Sequence, residues 1–403
     1  MIVKIEESKL SGTATFPASK SISHRLVIAA SLAQGESRIY GISKCDDVMA
    51  TIASLSSLGI EFSFDGDTAI VKGIDIKNAS AKEALFVNES GSTLRFLIPL
   101  AYLIGKDINF TGARRLFERP LGIYADIAKD QTMTFELYEN SLKVSGSMKA
   151  GDYRIKGNIS SQFVTGLLFA LPLLEEDSKI VIDPPFESRP YVNMTIDALS
   201  RFGVDVRFED ENTIAIPGKQ VYKCVDYAVE GDWSGGAFLL ALKMLHEDVT
   251  VVGFNDDSLQ GDKIAKEYLE KIRVGTPTLD ITDCPDLGPI LFAMAAYFNG
   301  ATFTGTRRLK IKESDRAEAM KCELEKFGAR VDIFEDSVKV YGGIHKPEDV
   351  LLGHNDHRIV MSLATLASKV GGTISGAEAI NKSYPEFFET LKKLGTNIKI
   401  LDD

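Results

Sequence analysis

The sequence predicts an α/β protein of the α+β type, with two similar domains of three βαβαββ repeat units each. Three observations predict it. A short Gly/Ser/Asp-rich stretch runs into a strongly apolar helix six times along the 403 residues. Each apolar helix is followed by a turn and an alternating strand, so the hydrophobic period changes from about 3.6 to about two at the same place each time. A second helix then ends at Gly and leads into a strand hairpin, which makes a unit of about 70 residues, and self-similarity at a fixed period marks one supersecondary unit reused. Alternating helices and strands imply sheets packed on helices, and a chain of 403 residues exceeds what one core serves. Six units divide as three and three, and the cleft between two such domains is the expected place for a small-molecule active site.

The first copy, SKSISHRLVIAASLA from Ser19, puts Lys20, Ser21, Ser23 and Arg25 at a helix start. The strand GESRIYGI and the helix end and hairpin LSSLGIEFSFDGDTAIVKG from Leu55 follow it. The second, ESGSTLRFLIPLAYL from Glu89, brings Gly91 and Arg95 and precedes the strand GKDINFTGARRL. The third, NISSQFVTGLLFALPLL from Asn158, carries Ser160, Ser161 and Gln162, with a hairpin in LSRFGVDVRFEDENTIAIPG from Leu199. The fourth, GDWSGGAFLLALKML from Gly231, offers no catalytic group and reads as a hinge. The fifth, CPDLGPILFAMAAYF from Cys284, comes early; it sets Asp286 just before a helix and is followed by GATFTGTRRL, a near copy of INFTGARRL. After it come RRLKIKESDR, with Lys312, Glu313, Asp315 and Arg316, and the hairpin of LEKFGARVDIFEDSVKVYGG from Leu324. The sixth, HNDHRIVMSLATLAS from His354, carries Arg358.

A helix start has free backbone N–H groups and a partial positive charge, which suit a phosphate or carboxylate. Arg or Lys stands close to several of these starts. Taken singly, each has a plainer account: Ser and Asp cap helices, Gly turns the chain, and charge runs are solvated. Together they point to a heavily anionic ligand. The net charge of −11 and a pI near 5.2 argue against general nucleic-acid binding, so any anion site is a local basic pocket. The acidic N-terminus, MIVKIEESKLSG, lacks the charge pattern of a signal peptide. The apolar stretch from Phe163 to Leu174 is interrupted by Thr165, Gly166 and Pro172 and is too short to span a membrane. Cys45, Cys224, Cys284 and Cys322 are scattered and read as reduced thiols, so a cytoplasmic protein is expected. There is no GxxxxGK[ST] and no GxGxxG. His354 and His357 have a bare HxxH spacing; His357 reads as a capping or hydrogen-bonding group, and no metal is expected.

The ordered set PASKSISHR, ESGSTLR, ERP from Glu118, NISSQF, ESRPY, GDWSGGA, SLQGD, PDLGP, IKESDR, NDHR and NKSYPEFF resembles the enolpyruvyl transferase family over essentially the whole chain. Within that family it resembles the branch acting on shikimate 3-phosphate. The branch acting on a UDP-sugar carries Lys-Asn near its start and a Cys in a Gly-rich loop, whereas this chain has Lys20-Ser21 and, in GARRLFERP, no Cys. The resemblance implies domains at 13–229 and at 1–12 with 230–403, and hinges near 13–20 and 229–234. It also implies addition of the 5-hydroxyl of shikimate 3-phosphate to phosphoenolpyruvate, then loss of phosphate, in the shikimate pathway to chorismate. No cofactor, nucleic acid or membrane takes part, the family is commonly monomeric, and glyphosate mimics phosphoenolpyruvate.

By the same resemblance, Ser21, Arg25, Ser160, Ser161, Gln162, Ser188, Tyr191, Asp286 and Lys312 hold shikimate 3-phosphate. Lys20, Gly91, Arg119, Gln162, Arg316, Arg358 and Lys382 hold phosphoenolpyruvate, and Arg95 lies close to the same anions. Asp286, Glu313 and Lys20 are the catalytic candidates: Asp286 for the hydroxyl proton, Glu313 for the proton at C3, and Lys20 for a share of that role or for phosphate departure. Glu89 and Arg308 stand where relatives often have Asn. The charge balance agrees, since about five or six negative charges need many cations to enter a cleft. The alternatives are the UDP-sugar branch, a non-catalytic sugar-phosphate binder, and an RNA-end-modifying enzyme, the last disfavoured by the acidic charge.

Overall fold

The computed structural model describes residues 1–79, 81 and 84–401. The chain divides into two compact units, Ala18–Glu230, and Met1–Pro17 with Gly231–Asp403. Each unit has its own apolar core.

In the unit Ala18–Glu230 the helices are α1 (Lys20–Leu32), α2 (Asp46–Ser57), α3 (Gly91–Ile104), α4 (Arg114–Glu118), α5 (Gly122–Asp130), α6 (Ser161–Ala170) and α7 (Arg189–Arg201). Three four-stranded sheets repeat one order. Asp226–Ala228, Gly35–Tyr40, Thr68–Gly73 and Glu61–Asp65 make the first. Leu85–Asn88, Ile108–Gly112, Ser141–Ser145 and Thr134–Leu137 make the second, and Asp152–Lys156, Ser178–Asp183, Thr213–Ile216 and Arg207–Phe208 the third. In each, the first two strands run parallel and the others antiparallel. Helices α1, α3 and α6 are buried almost throughout, because a helix without a polar face has to lie between layers. Their polar residues gather in the first turns.

The other unit contains α8 (Trp233–Leu245), α9 (Ala265–Val274), α10 (Gly288–Tyr297), α11 (Arg316–Lys326), α12 (His357–Val370) and α13 (Phe387–Lys393). Here the repeat is not uniform. The fifth copy makes the usual sheet from Thr278–Asp280, Gly300–Thr304, Ser337–Tyr341 and Val331–Ile333. The fourth has no hairpin: α9 leads straight to Thr278–Asp280, which already belongs to the fifth, and this is why the fifth comes early. The sixth takes a hairpin strand from the chain's N-terminus, Ile2–Ile5, which lies antiparallel between Gly372–Ser375 and Ile398–Leu401.

Two copies also exchange their leading strands. Gly12–Thr15 precedes α1 in the chain but pairs with Val249–Val252, which follows α8. Asp226–Ala228 precedes α8 but pairs with Gly35–Tyr40, which follows α1. Beside these passages Asp232 N donates to Pro17 O at 2.8 Å and Ser19 N to Glu230 O at 2.9 Å. The GDWSGGA stretch serves this corner. Asp232 caps α8 by accepting from Gly235 N at 2.9 Å, an interaction of about 1 kcal/mol. A Cβ on Gly236 would overlap the Phe16 ring, so only glycine lets the strand and helix meet there. Gln260, from SLQGD, donates to Gly231 O at 2.8 Å and accepts from Trp233 N at 3.0 Å, which seats the helix start. Among the described residues no helix is long and apolar enough to cross a membrane.

Candidate active site

The helix starts are capped as their sequences allow. Ser19 Oγ accepts from Ile22 N at 3.4 Å, Ser90 Oγ from Thr93 N at 3.2 Å, and Ser160 Oγ from Gln162 N at 3.3 Å. The capping account of Ser160 therefore holds, and its hydroxyl keeps a proton to donate. Helix α10 begins instead after the 3-10 turn Pro285–Leu287 and has no side-chain cap.

In the unit Ala18–Glu230, three helix starts and two loops bring the predicted residues together in pairs. Lys20, the first residue of α1, donates to Asp47 Oδ2 at 2.9 Å across to α2. One turn on, buried Arg25 donates to Thr195 Oγ1 at 2.9 Å, Ser21 O at 2.7 Å and Tyr191 O at 3.0 Å, which ties α1 to α7. Burial lowers the Arg25 guanidinium to about 10, still cationic at neutral pH. Arg95 donates to Gln162 Oε1 at 2.9 Å and Pro120 O at 2.9 Å, and Gln162 Nε2 donates to Ser92 Oγ at 3.1 Å. Thus α3 and α6 are joined through the predicted Gln162. A Cβ on Gly91 would lie 2.8 Å from a terminal nitrogen of Arg95 and 3.0 Å from one of Arg119, so two guanidiniums flank a bare backbone. Ser188 ends the loop before α7 in the left-handed region, at φ 57°, which a non-glycine residue adopts at a cost of about 1 kcal/mol or more.

In the other unit, one partly buried network collects the remaining candidates. Asp286 Oδ1 accepts from Lys312 Nζ at 3.1 Å and from Arg316 at 2.7 Å, while Oδ2 accepts from Arg358 at 3.2 Å. Arg316, with its side chain 1% exposed, also donates to Glu313 Oε2 at 2.8 Å and to Asp356 Oδ2 at 2.8 Å. Asp356 caps α12 through Arg358 N at 2.9 Å and accepts from Ser314 Oγ at 3.1 Å. Lys382 donates to Asn355 O at 2.6 Å. Arg308 donates to Thr282 O. His354 Nε2 lies 2.8 Å from Glu323 Oε1, and His357 Nδ1 lies 3.9 Å from Asp356 Oδ1, so the HxxH pair faces two different carboxylates.

Burial alone would raise the Asp286 carboxyl. Arg358, Lys312 and Arg316 outweigh it and hold the group well below the usual carboxylate range. Burial lowers the Lys312 ammonium, helped by Arg316 and Arg308 and opposed by Asp286 and Glu313. Burial acts on Arg316 too, but Asp356, Glu313 and Asp286 raise its guanidinium above the ordinary value.

Two buried histidines outside these pairs give a pH prediction. Burial first, then Lys20 and Arg25, hold His24 well below its ordinary value; burial, then Lys369, push His246 down to about 4. In the unfolded chain both titrate near about 6.5. Below that pH the unfolded chain binds the extra protons, so stability falls with falling pH, by up to about 1.4 kcal/mol per pH unit per histidine. Asp286 adds its loss only below about pH 4, the unfolded carboxylate value, as the pH falls through its depressed folded value. Calorimetric melting midpoints are expected to be lower at pH 5 than at pH 7, and equal midpoints would contradict the assignment.

Asp47 and Asp356 were not among the residues singled out from sequence. Asp47 stands in a plain DD at a helix start, a common dipole-compensating pattern, and Asp356 lies between the two histidines of HNDHR with no signal of its own. The ion pair of the one and complete burial of the other appear only in three dimensions.

Among solved structures, EPSP synthase from Acinetobacter baumannii aligns with a TM-score of 0.80 at 22% identity, covering 100% of both chains. The enolpyruvyl transferase NikO from Streptomyces tendae aligns with a TM-score of 0.78 at 18% identity, covering 99% of this chain and 98% of that one. The fold is therefore the two-domain α/β fold of the enolpyruvyl transferases. The family model for EPSP synthase (3-phosphoshikimate 1-carboxyvinyltransferase) matches residues 5–391. A 3-phosphoshikimate 1-carboxyvinyltransferase from Clostridium kluyveri is 42% identical, and one from Clostridioides difficile is 39% identical, each over 98% of both chains. The chain belongs to the EPSP synthase family and is a transferase.

Proposed function

We propose that this protein transfers the enolpyruvyl group of phosphoenolpyruvate to the 5-hydroxyl of shikimate 3-phosphate and releases phosphate. The observation that carries this reading is the single carboxylate of Asp286 bonded to Lys312, Arg316 and Arg358, with Glu313 on the same Arg316. It is an acid/base pair of carboxylates set among cations, which addition–elimination on an anionic enol phosphate requires.

The proposed roles follow from what each group has left to offer. Asp286 is ionised throughout the neutral range but, tied to three cations, is a weak base. It takes the 5-hydroxyl proton only as oxygen bonds to C2 and the hydroxyl becomes acidic. Glu313, once released from Arg316, takes up a proton from solvent, delivers it to C3 in that step and recovers one from C3 when phosphate leaves, and the hydroxyl proton held by Asp286 departs with the phosphate. Arg316 is committed to three carboxylates, so it reaches phosphoenolpyruvate by exchanging Glu313 for the substrate carboxylate, which frees Glu313 for C3. Lys20, held by Asp47, assists the departing phosphate. Gly91, Arg119, Gln162, Arg358 and Lys382 receive phosphoenolpyruvate, with Arg95 behind them. Ser21, Arg25, Ser160, Ser161, Gln162, Ser188, Tyr191 and Lys312 receive shikimate 3-phosphate.

The test is phosphate release from phosphoenolpyruvate with shikimate 3-phosphate as acceptor, beside a UDP-sugar acceptor. Release with the UDP-sugar alone would overturn the reading. Gly91→Ala is expected to push the flanking guanidiniums aside, raising KM for phosphoenolpyruvate about tenfold and weakening inhibition by glyphosate. An unaltered inhibition constant would show that this backbone does not border the ligand.

A further inference from the structure

One cluster of buried polar side chains takes no part in the chemistry above. His24, Thr51, Thr93 and Ser90 are each 0% exposed, and they lie where α1, α2 and α3 meet. Thr93 Oγ1 donates to Ser90 Oγ at 2.7 Å, with Asp47 O a second acceptor at 3.2 Å. With that proton engaged, the 2.6 Å contact between Thr51 Oγ1 and Thr93 Oγ1 has Thr51 as donor. The 2.8 Å contact between His24 Nδ1 and Thr51 Oγ1 then has histidine as donor. The hydrogen bonds therefore assign His24 the Nδ1–H tautomer and run one way, from α1 through α2 to α3. Among the described residues His24 Nε2 is buried with no partner, a cost the fold bears for keeping a histidine there.

Both ends of this chain reach the proposed phosphoenolpyruvate site. His24 lies one turn along α1 from Lys20, and Asp47, whose carbonyl borders Thr93, holds the Lys20 ammonium through its carboxylate. Ser90 caps α3 immediately before Gly91, beside which the Arg95 and Arg119 guanidiniums lie. Apolar contacts alone would let three packed helices slide by fractions of an ångström. Directional bonds within their first two turns set the distance between Lys20 and Gly91.

We infer that His24, Thr51, Thr93 and Ser90 form a positioning relay that sets the start of α3 against Lys20, and so governs affinity for phosphoenolpyruvate rather than for the acceptor. The inference rests on the function proposed above. Thr93→Val keeps the shape and removes the central hydroxyl. It is expected to raise KM for phosphoenolpyruvate about tenfold, with kcat and KM for shikimate 3-phosphate changed less than about twofold. Thr93→Ser, which restores the hydroxyl, is expected to recover most of the loss. Thr51→Val combined with Thr93→Val is expected to be little worse than either alone, since one break opens the relay.

A Val variant with unchanged kinetics, or with equal losses toward both substrates, would overturn the relay. Crystal structures of the Val and Ser variants give a second readout that does not depend on activity. The Ser90–Gly91 turn is expected to shift relative to α1 in the Val variant and to stay in place in the Ser variant, and no shift in the Val variant would also overturn the relay. If the unmodified protein releases no phosphate with these substrates, the proposed function fails, and the structural comparison still decides on the relay.

Discussion

Asp286→Asn is expected to lower kcat by about 10³- to 10⁴-fold, which is the range for removing a general base together with the charge it supplies. The amide has the same shape but cannot take the hydroxyl proton, and it offers one acceptor where the carboxylate serves Lys312, Arg316 and Arg358. Two effects on binding oppose each other. Loss of the carboxylate disorders the three cations, which weakens binding; it also leaves them less neutralised, which favours an anionic substrate. In the proposed binding mode the second is the larger, because phosphoenolpyruvate and shikimate 3-phosphate would bring phosphate and carboxylate groups to the same cations. KM for phosphoenolpyruvate is therefore expected to stay level or fall while turnover collapses. Steady-state kinetics check this, and a tenfold rise in KM with kcat intact would reassign Asp286 to binding alone. The free protein is expected to melt earlier by an amount equivalent to about 2 kcal/mol, since three cations lose a partner that is only partly exposed.

Glu313→Gln is expected to reduce kcat by about 10²- to 10³-fold and to leave substrate affinity within about threefold. Glu313 pairs with Arg316 at 2.8 Å, whereas Asp286 is bonded to Lys312, Arg316 and Arg358. Arg316 keeps Asp286 and Asp356 when the Glu313 charge is removed, so the site stays assembled and the lost function is proton transfer at C3. Solvent deuterium gives a specific readout: exchange into the C3 position of phosphoenolpyruvate should fall in step with turnover. Near-normal turnover would remove Glu313 from the mechanism, and slow turnover with undiminished exchange would place its action at another step.

Part of the candidate site was legible because several of its residues sit at helix starts, where local sequence is informative, whereas Arg119, Lys312 and Lys382 stand at helix ends. Lys20, Gly91, Ser160, Asp286 and Arg358 all follow or contain a recognisable cap or turn before an apolar run. The partners of those residues were not legible. Arg316 joins residues 30 and 40 positions away, Asp286 and Asp356, and Arg25 reaches residues 166 and 170 positions away. No periodicity records such distances. The hydroxyls of Thr51 and Thr93 look like ordinary helix residues until three helices are packed together.

The sequence by itself determined most of the secondary structure, the six recurring helix starts and the family, because hydrophobic period, turn residues and ordered motifs are properties of neighbouring positions. Tertiary structure alone decided how the repeats are completed. The exchange of leading strands between the first and fourth copies, and the use of Ile2–Ile5 to finish the sixth, leave every local pattern unchanged. A β-strand is specified by its alternation, but its partner is whichever edge offers unpaired backbone groups and a matching apolar face. Ionisation was decided at the same level. Asp286, Lys312 and Arg316 depart from their ordinary values because burial and neighbouring charges act through space, and only packing brings those charges within range.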